Sequence, residues 1–228
     1  MTPERIERIE KVLSKRQNGL TVVLENVNDP HNISAVMRTC DAVGIQDIYI
    51  LNTKIGAHEM WSAKASSSAV NWLTIHQFTN LEECIVALRK KFDKIYTTHL
   101  STDAVGLYEL NFLENVALVF GNEHDGCSNE IIALADGNFI IPQVGMIKSL
   151  NISVACAVSV YEAFRQKTGY GHYDKMQLDA NVVNGLMEKW DTPKFEKRLE
   201  AKAQRKARFD AQKKGSSDLL EGRGDLED

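Results

Sequence analysis

Several familiar signatures are missing from this chain, and each absence removes a class of protein. Cysteine is sparse: Cys40, Cys84, Cys127 and Cys156 are scattered and none forms a Cys-x-x-Cys pair. That argues against a zinc ribbon or a disulfide scaffold. It reads as four small buried hydrophobes in a reducing compartment. No apolar run reaches membrane-spanning length. The start, Met1-Thr2-Pro3-Glu4-Arg5-Ile6-Glu7, lacks the apolar stretch of a secretory leader, so a cytoplasmic protein with no membrane partner is expected. There is no Gly-x-Gly-x-x-Gly after the first strand and no Gly-x-x-x-x-Gly-Lys-Ser/Thr loop. The six histidines are dispersed, with no metal-ligand spacing. A Rossmann oxidoreductase, a P-loop enzyme and a zinc deaminase all lose ground, and no metal is expected.

An overall positive charge is also missing. The 228 residues carry a formal net charge of −4, and the pI is about 5.9. Any site for a polyanion must therefore be local. The balance hides segregation: Lys and Arg cluster toward both termini, and acidic residues crowd the C-terminal end. With 43% hydrophobic and 25% charged residues the composition is that of a globular protein with one substantial core.

What is present alternates. A first helix carries Ile6, Ile9 and Leu13 near one face, with Thr2 as its cap and Pro3 in its first turn. Arg5, Arg8, Lys11, Lys15 and Arg16 surround that stripe, as a solvated face or as a polyanion contact. Leu20 to Leu24 reads as a buried strand, Asn26 to Asn32 as a polar loop, and Ser34 to Val43 as a helix stopped by Gly44. Strands follow at 47–51, 73–77, 95–98, 117–120 and 139–142. Helices are expected over 58–70, 81–92, 129–135 and 150–167. Alternation of this kind predicts an α/β fold with a parallel sheet covered on both faces. Residues 1–19 form an N-terminal basic helix and residues 20–168 the main domain. A basic helical extension occupies 169–214, running from Pro193 through Lys214, and 215–228 a mobile acidic tail.

Three polar groups stand at strand ends. In the first, Asn32-Ile33-Ser34-Ala35-Val36-Met37-Arg38-Thr39, Asn32 can cap the helix and Arg38 is expected near its inner side. An arginine there needs an anion: Asp41 or Glu25 in an internal salt bridge, or a ligand phosphate or carboxylate. The second, Phe120-Gly121-Asn122-Glu123-His124-Asp125-Gly126, follows a buried strand, where open α/β sheets place ligands. It offers the Glu123 carboxylate on a glycine-rich loop. In the third, Ser149-Leu150-Asn151 opens a helix for which Ser149 is the expected cap, with Asn151 beside it.

In this order and spacing the three groups resemble the SpoU family of the knotted methyltransferase superfamily, over residues from about 20 to 165. Asp29-Pro30-His31-Asn32-Ile33 leading into Arg38-Thr39-Cys40-Asp41-Ala42-Val43-Gly44 is most similar to those members that methylate the ribose of the tRNA D-loop guanosine at position eighteen. The resemblance implies a deep trefoil knot near the C-terminal end of the catalytic domain. It also implies S-adenosyl-L-methionine as cofactor, a homodimer whose active site is completed across the interface, and tRNA as partner. Carried over by position, it places cofactor contacts on Thr98, Gly121, Ile141 and Leu150, and catalytic or orienting roles on Arg38, Asn32, Glu123, Ser149 and Asn151. RNA contacts would fall on Arg5, Arg8, Lys15, Arg16, His31 and Arg165. Two rival readings are a 2′-O-methyltransferase for another tRNA or rRNA site, and a non-catalytic RNA-binding or chaperone protein.

Overall fold

The computed structural model describes residues 2–56, 69–147 and 149–190. The basic stretch expected from Pro193, the acidic tail, and all but the last positions of the helix expected over 58–70 lie outside those residues. Chain packing divides the protein into a unit spanning Thr2–Asp179 and a second beginning at Ala180, whose described element is helix α6, Ala180–Trp190.

The first unit is built on seven parallel strands: β1 (Leu20–Glu25), β2 (Asp47–Leu51), β3 (Thr74–Phe78), β4 (Lys94–Thr98), β5 (Val105–Gly106), β6 (Val116–Phe120) and β7 (Gly137–Ile140). Their order across the sheet is β3-β2-β1-β6-β4-β7-β5. The central strands β1 and β6 pair from Leu20 with Val116 to Leu24 with Phe120 and are buried throughout. This is why β6 reads as a continuous apolar run and β1 is broken only by Thr21 and its last residue, Glu25. Edge strand β3 (Thr-Ile-His-Gln-Phe) is only half-buried and accordingly mixes polar with apolar residues.

Side chains alternate across the strands, so the sheet feeds two cores. Leu20, Val22 and Leu24 point to one face. There they pack with Ile33, Met37 and Cys40 of α2 (Pro30–Ala42) and with Cys156 and Val160 of α5 (Ile152–Gly169). Val23, Tyr49 and Val119 point to the other, against Cys84 and Leu88 of α3 (Leu81–Arg89) and Ile131 of α4 (Asn129–Leu134). Helix α1 (Pro3–Leu13) buries Ile9 and Leu13 in the same unit. All four cysteines are free and buried, as expected.

Two helix starts differ from the expectation. Helix α2 begins at Pro30, not Ser34, because Asp29 is the cap: its carboxylate accepts from the His31 amide at 2.8 Å. Aspartate followed by proline is a strong start signal that the polar composition of 26–32 obscured. Helix α5 begins at Ile152 and is capped by Asn151, whose side-chain oxygen accepts from the Ser153 amide at 2.9 Å. Ser149 lies outside the helix.

Going out from β1, the chain builds β2 and β3 on one side and the remaining strands on the other. Open sheets have their crevice where the order reverses in this way, at the carboxyl ends of the strands.

Candidate active site at the carboxyl ends of the strands

A cleft of about 630 Å³ opens at the carboxyl ends of the strands on the β6–β4–β7 side of that reversal, a volume ordinary for a small-molecule site. Its walls come from the ends of three neighbouring strands and from the start of α5. Thr98 ends β4 and His99 follows it, Gly121 to Gly126 follow β6, and Phe139 and Ile140 end β7 with Ile141 just after. Ser149, Leu150 and Asn151 lead into α5. All four positions expected to hold a cofactor, Thr98, Gly121, Ile141 and Leu150, line this one cleft. The Thr98 hydroxyl is turned inward, donating to the Val119 carbonyl at 3.2 Å beside the Cys127 thiol. Burial pushes that thiol up to about 12, so it stays protonated.

The loop after β6 is closed tightly. A Cβ on Gly121 would lie 1.9 Å from the Gly126 carbonyl carbon, and Gly126 has a φ of 69°. No side chain fits at Gly121, and the left-handed backbone at Gly126 favours glycine. Within the loop the Asn122 side-chain oxygen accepts from the amides of His124 (2.9 Å) and Asp125 (2.8 Å), and the Gly126 amide donates to the Asn122 carbonyl. Glu123 is presented at the crest.

Across the cleft rim runs a directed relay. The cap fixes Asn151: its oxygen accepts from the Ser153 amide and from the Ser153 hydroxyl at 2.6 Å. Its NH2 group is thereby left to donate to the Asn32 oxygen at 3.2 Å. The Asn32 NH2 group in turn donates to Oε1 of Glu123 at 2.6 Å. Asn32 can do this because it lies inside α2 and does not cap it. The relay ends on a carboxylate acceptor, and Oε2 of Glu123 has no partner among the described residues.

Arg38 differs from expectation. It is exposed, because the buried stripe of α2 is Ile33, Val36, Met37 and Cys40, and Arg38 falls outside it. Neither anion considered for it is available. Asp41 binds Arg16 at 2.6 Å, and Glu25 accepts from the Ser128 amide and hydroxyl at the start of α4. Among the described residues Arg38 has no ion-pair partner, and it does not line the cleft of its own chain. It stands about 9 Å along α2 from Asn32.

The residues expected to contact RNA are dispersed. Arg16 is a correction: it is fully buried, its guanidinium donating to Asp41, to the Ile45 carbonyl (3.0 Å) and to the Trp72 carbonyl (3.2 Å). A guanidinium so enclosed ties loops together and presents nothing to a ligand. Lys15 is exposed, its ammonium donating to the Tyr173 carbonyl at 2.5 Å. Arg8 and His31 are exposed and Arg5 is half-buried. Arg165 is exposed and paired with Glu162 at 2.8 Å, about 20 Å along α5 from its cap. His99, Leu100, Asn122, His124 and Gln143 line the cleft without having been singled out. The rule that pointed to the loop after β6 points equally to His99 and Leu100 after β4.

A model of the SpoU rRNA Methylase family matches residues 19–161. The tRNA (guanosine(18)-2′-O)-methyltransferase of Thermus thermophilus is 40% identical over 189 residues, covering 83% of this chain and 96% of that protein. The crystal structure of the A. aeolicus TrmH/SpoU tRNA modifying enzyme superposes with a TM-score of 0.76 at 34% identity, covering 82% and 94% of the two chains. An AdoMet-bound rRNA methyltransferase from Sinorhizobium meliloti superposes with a TM-score of 0.60 at 27% identity, covering 67% and 59%.

Proposed function

The chain belongs to the SpoU rRNA Methylase family, and from that premise we propose that it methylates the ribose 2′-hydroxyl of the guanosine at position 18 of tRNA, the activity named for its Thermus thermophilus relative. The observation that carries the reading is the relay Asn151–Asn32–Glu123, which joins all three polar motifs at the rim of one cleft. S-adenosyl-L-methionine supplies an electrophilic methyl on a sulfonium sulfur when bound, and the cleft lined by Thr98, Gly121, Ile141 and Leu150 would hold it.

A ribose hydroxyl becomes a competent nucleophile only as its proton is taken or its developing charge is stabilised. Glu123, held through one oxygen by Asn32, has the other to accept the 2′-hydroxyl hydrogen. That carboxylate would take the proton the 2′-hydroxyl gives up as it is methylated. Arg38 stays cationic throughout. It clamps an RNA phosphate and stabilises charge on the 2′-oxygen. Ser149 and Leu150 border the same wall.

Arg38 lies outside its own chain's cleft, which supports a homodimer in which Arg38 of one protomer serves the cleft of the other. Val144, Met146 and Ile147 in the loop before α5, with Val154 and Tyr161 on α5, are exposed and would be covered by such an interface. The return of the chain from β7 across the ends of β4 and β6 to α5 is where a trefoil knot would form. Arg5, Arg8, Lys15, His31 and Arg165, with the basic stretch after Pro193, would contact tRNA. No described helix is long and apolar enough to cross a membrane, and a cytoplasmic location suits the free thiols. Mapping the methylated nucleotide after incubation of tRNA with S-adenosyl-L-methionine tests the reading. A 2′-O-methylated D-loop guanosine is expected, and modification elsewhere would overturn the site assignment.

A further inference from the structure

Resting on that reading, we infer that Asn122 is a positioning residue for the reaction: its side-chain oxygen holds the crest turn that aims Glu123 at the substrate. Glu123 is exposed and hangs on a short loop between Gly121 and Gly126. Its carboxylate receives one bond from outside that loop, from Asn32 at 2.6 Å. Everything else that orients it comes through the backbone of residues 122–126. There the Asn122 oxygen accepts the amides of both residues that follow Glu123, His124 at 2.9 Å and Asp125 at 2.8 Å. The Gly126 amide closes the turn on the Asn122 carbonyl at 3.0 Å. The side chain thus supplies two bonds that an exposed loop would otherwise give to water, and a loop so bonded has far fewer conformers.

Residue chemistry makes this separable from cofactor binding. Aspartate offers the same acceptor oxygen at the same distance and keeps both bonds. Serine offers a shorter one, and alanine none. Of the four positions read as cofactor contacts, Gly121 adjoins the crest turn, whereas Thr98, Ile141 and Leu150 lie on other elements. Loosening it should therefore cost turnover more than cofactor affinity. Displacements of an ångström at a reacting group are enough to lower rate by about a hundredfold.

The test is a double-mutant cycle in the full-length chain, read as kcat and KM for tRNA methylation with S-adenosyl-L-methionine affinity measured by calorimetry. Asn122→Ala should lower kcat about 30-fold, with KM for tRNA and cofactor affinity within about fivefold. Asn122→Asp should recover kcat to within about tenfold of the parent. In a Glu123→Ala background the same Asn122→Ala change should cost less than about threefold, because its target is gone. An equal loss in both backgrounds, an unaltered kcat for Asn122→Ala, or a loss confined to cofactor affinity would each overturn the inference. Should the alanine variant not fold, the ranking Asp above Ser carries the same test. A parent chain that binds S-adenosyl-L-methionine but leaves tRNA unmethylated overturns the functional reading itself, a failure visible without any variant.

Discussion

Around Arg16, at the amino ends of the strands, the ionic groups are bonded within the protein. Arg16 is enclosed by Asp41 and two carbonyls. Asp47 takes His76 at 2.7 Å and Lys91 at 3.3 Å. Asp136 takes Arg89 and the Ile95 amide. At the cleft rim and along the outer face of α2, two charged side chains, Glu123 and Arg38, keep an open valence. Asn151, Asn32 and Glu123 orient one another and stop at a carboxylate oxygen that, like Arg38, has no partner among the described residues. A side chain that folding has satisfied is structural, whereas one that folding has oriented but left with an open valence is set up for a ligand.

The two arginines give the sharpest way to break this comparison. Arg16→Ala should strand the Asp41 carboxylate and two buried carbonyls, destabilising the protein by about 3–5 kcal/mol in urea denaturation. Arg38→Ala should leave stability within about 0.5 kcal/mol. It should lower methyl transfer by about two to three orders of magnitude, the cost of losing a charge-stabilising donor. Equal effects of the two on stability would erase the distinction. Arg38→Lys separates planar bidentate recognition from charge alone, and near-normal turnover there would count against a specific guanidinium role.

Lys167 sharpens the comparison as its exception on the bonded side. It is buried near the end of α5, its ammonium without a hydrogen-bond partner among the described residues, and burial brings its pKa down to about 8 from 10.5. The unfolded chain therefore holds this proton more tightly than the folded one. The penalty is fully present below pH 8, and stability recovers as pH rises from 8 toward 10.5. Lys167→Met should stabilise the protein at pH 7 by roughly 1–3 kcal/mol. The gain should shrink toward zero near pH 10. A gain independent of pH would mean that packing, not charge, is responsible.

The smallest effect concerns RNA. Removing residues 1–17 would also remove buried Leu13 and Arg16, so a point change is the cleaner probe. Arg8→Ala should weaken tRNA binding a few-fold and lower the salt slope of log affinity by about one, with the melting temperature unaltered. An unaltered slope would remove α1 from the RNA surface.

Much of this architecture was legible because the physics was local. β6 is wholly apolar, β1 is apolar but for Thr21 and Glu25, and Gly44 stops α2. The illegible parts were those where tertiary packing chose between locally equal options. Asp29 and Asn32 are both good caps, as are Ser149 and Asn151. In each pair the residue left over lies at the cleft rim. Arg38 read as inward because Val36 and Met37 flank it in sequence, but successive helical residues point about 100° apart. Two-residue β5 and the short 3-10 turn at Ala69–Asn71 carry too few side chains to signal themselves. The candidate residues were found as a group because they recur at strand ends. Which of them folding consumes, as with Arg16, only the hydrogen bonds could tell.

The central claim is that the open oxygen of Glu123 and the unpaired Arg38 act on a ribose 2′-hydroxyl of tRNA. The most direct measurement is methyl transfer to tRNA whose D-loop guanosine at position 18 is replaced by 2′-deoxyguanosine, compared with unmodified tRNA at equal binding. The account predicts comparable affinity and complete loss of methyl transfer; undiminished transfer to the deoxy substrate would contradict it.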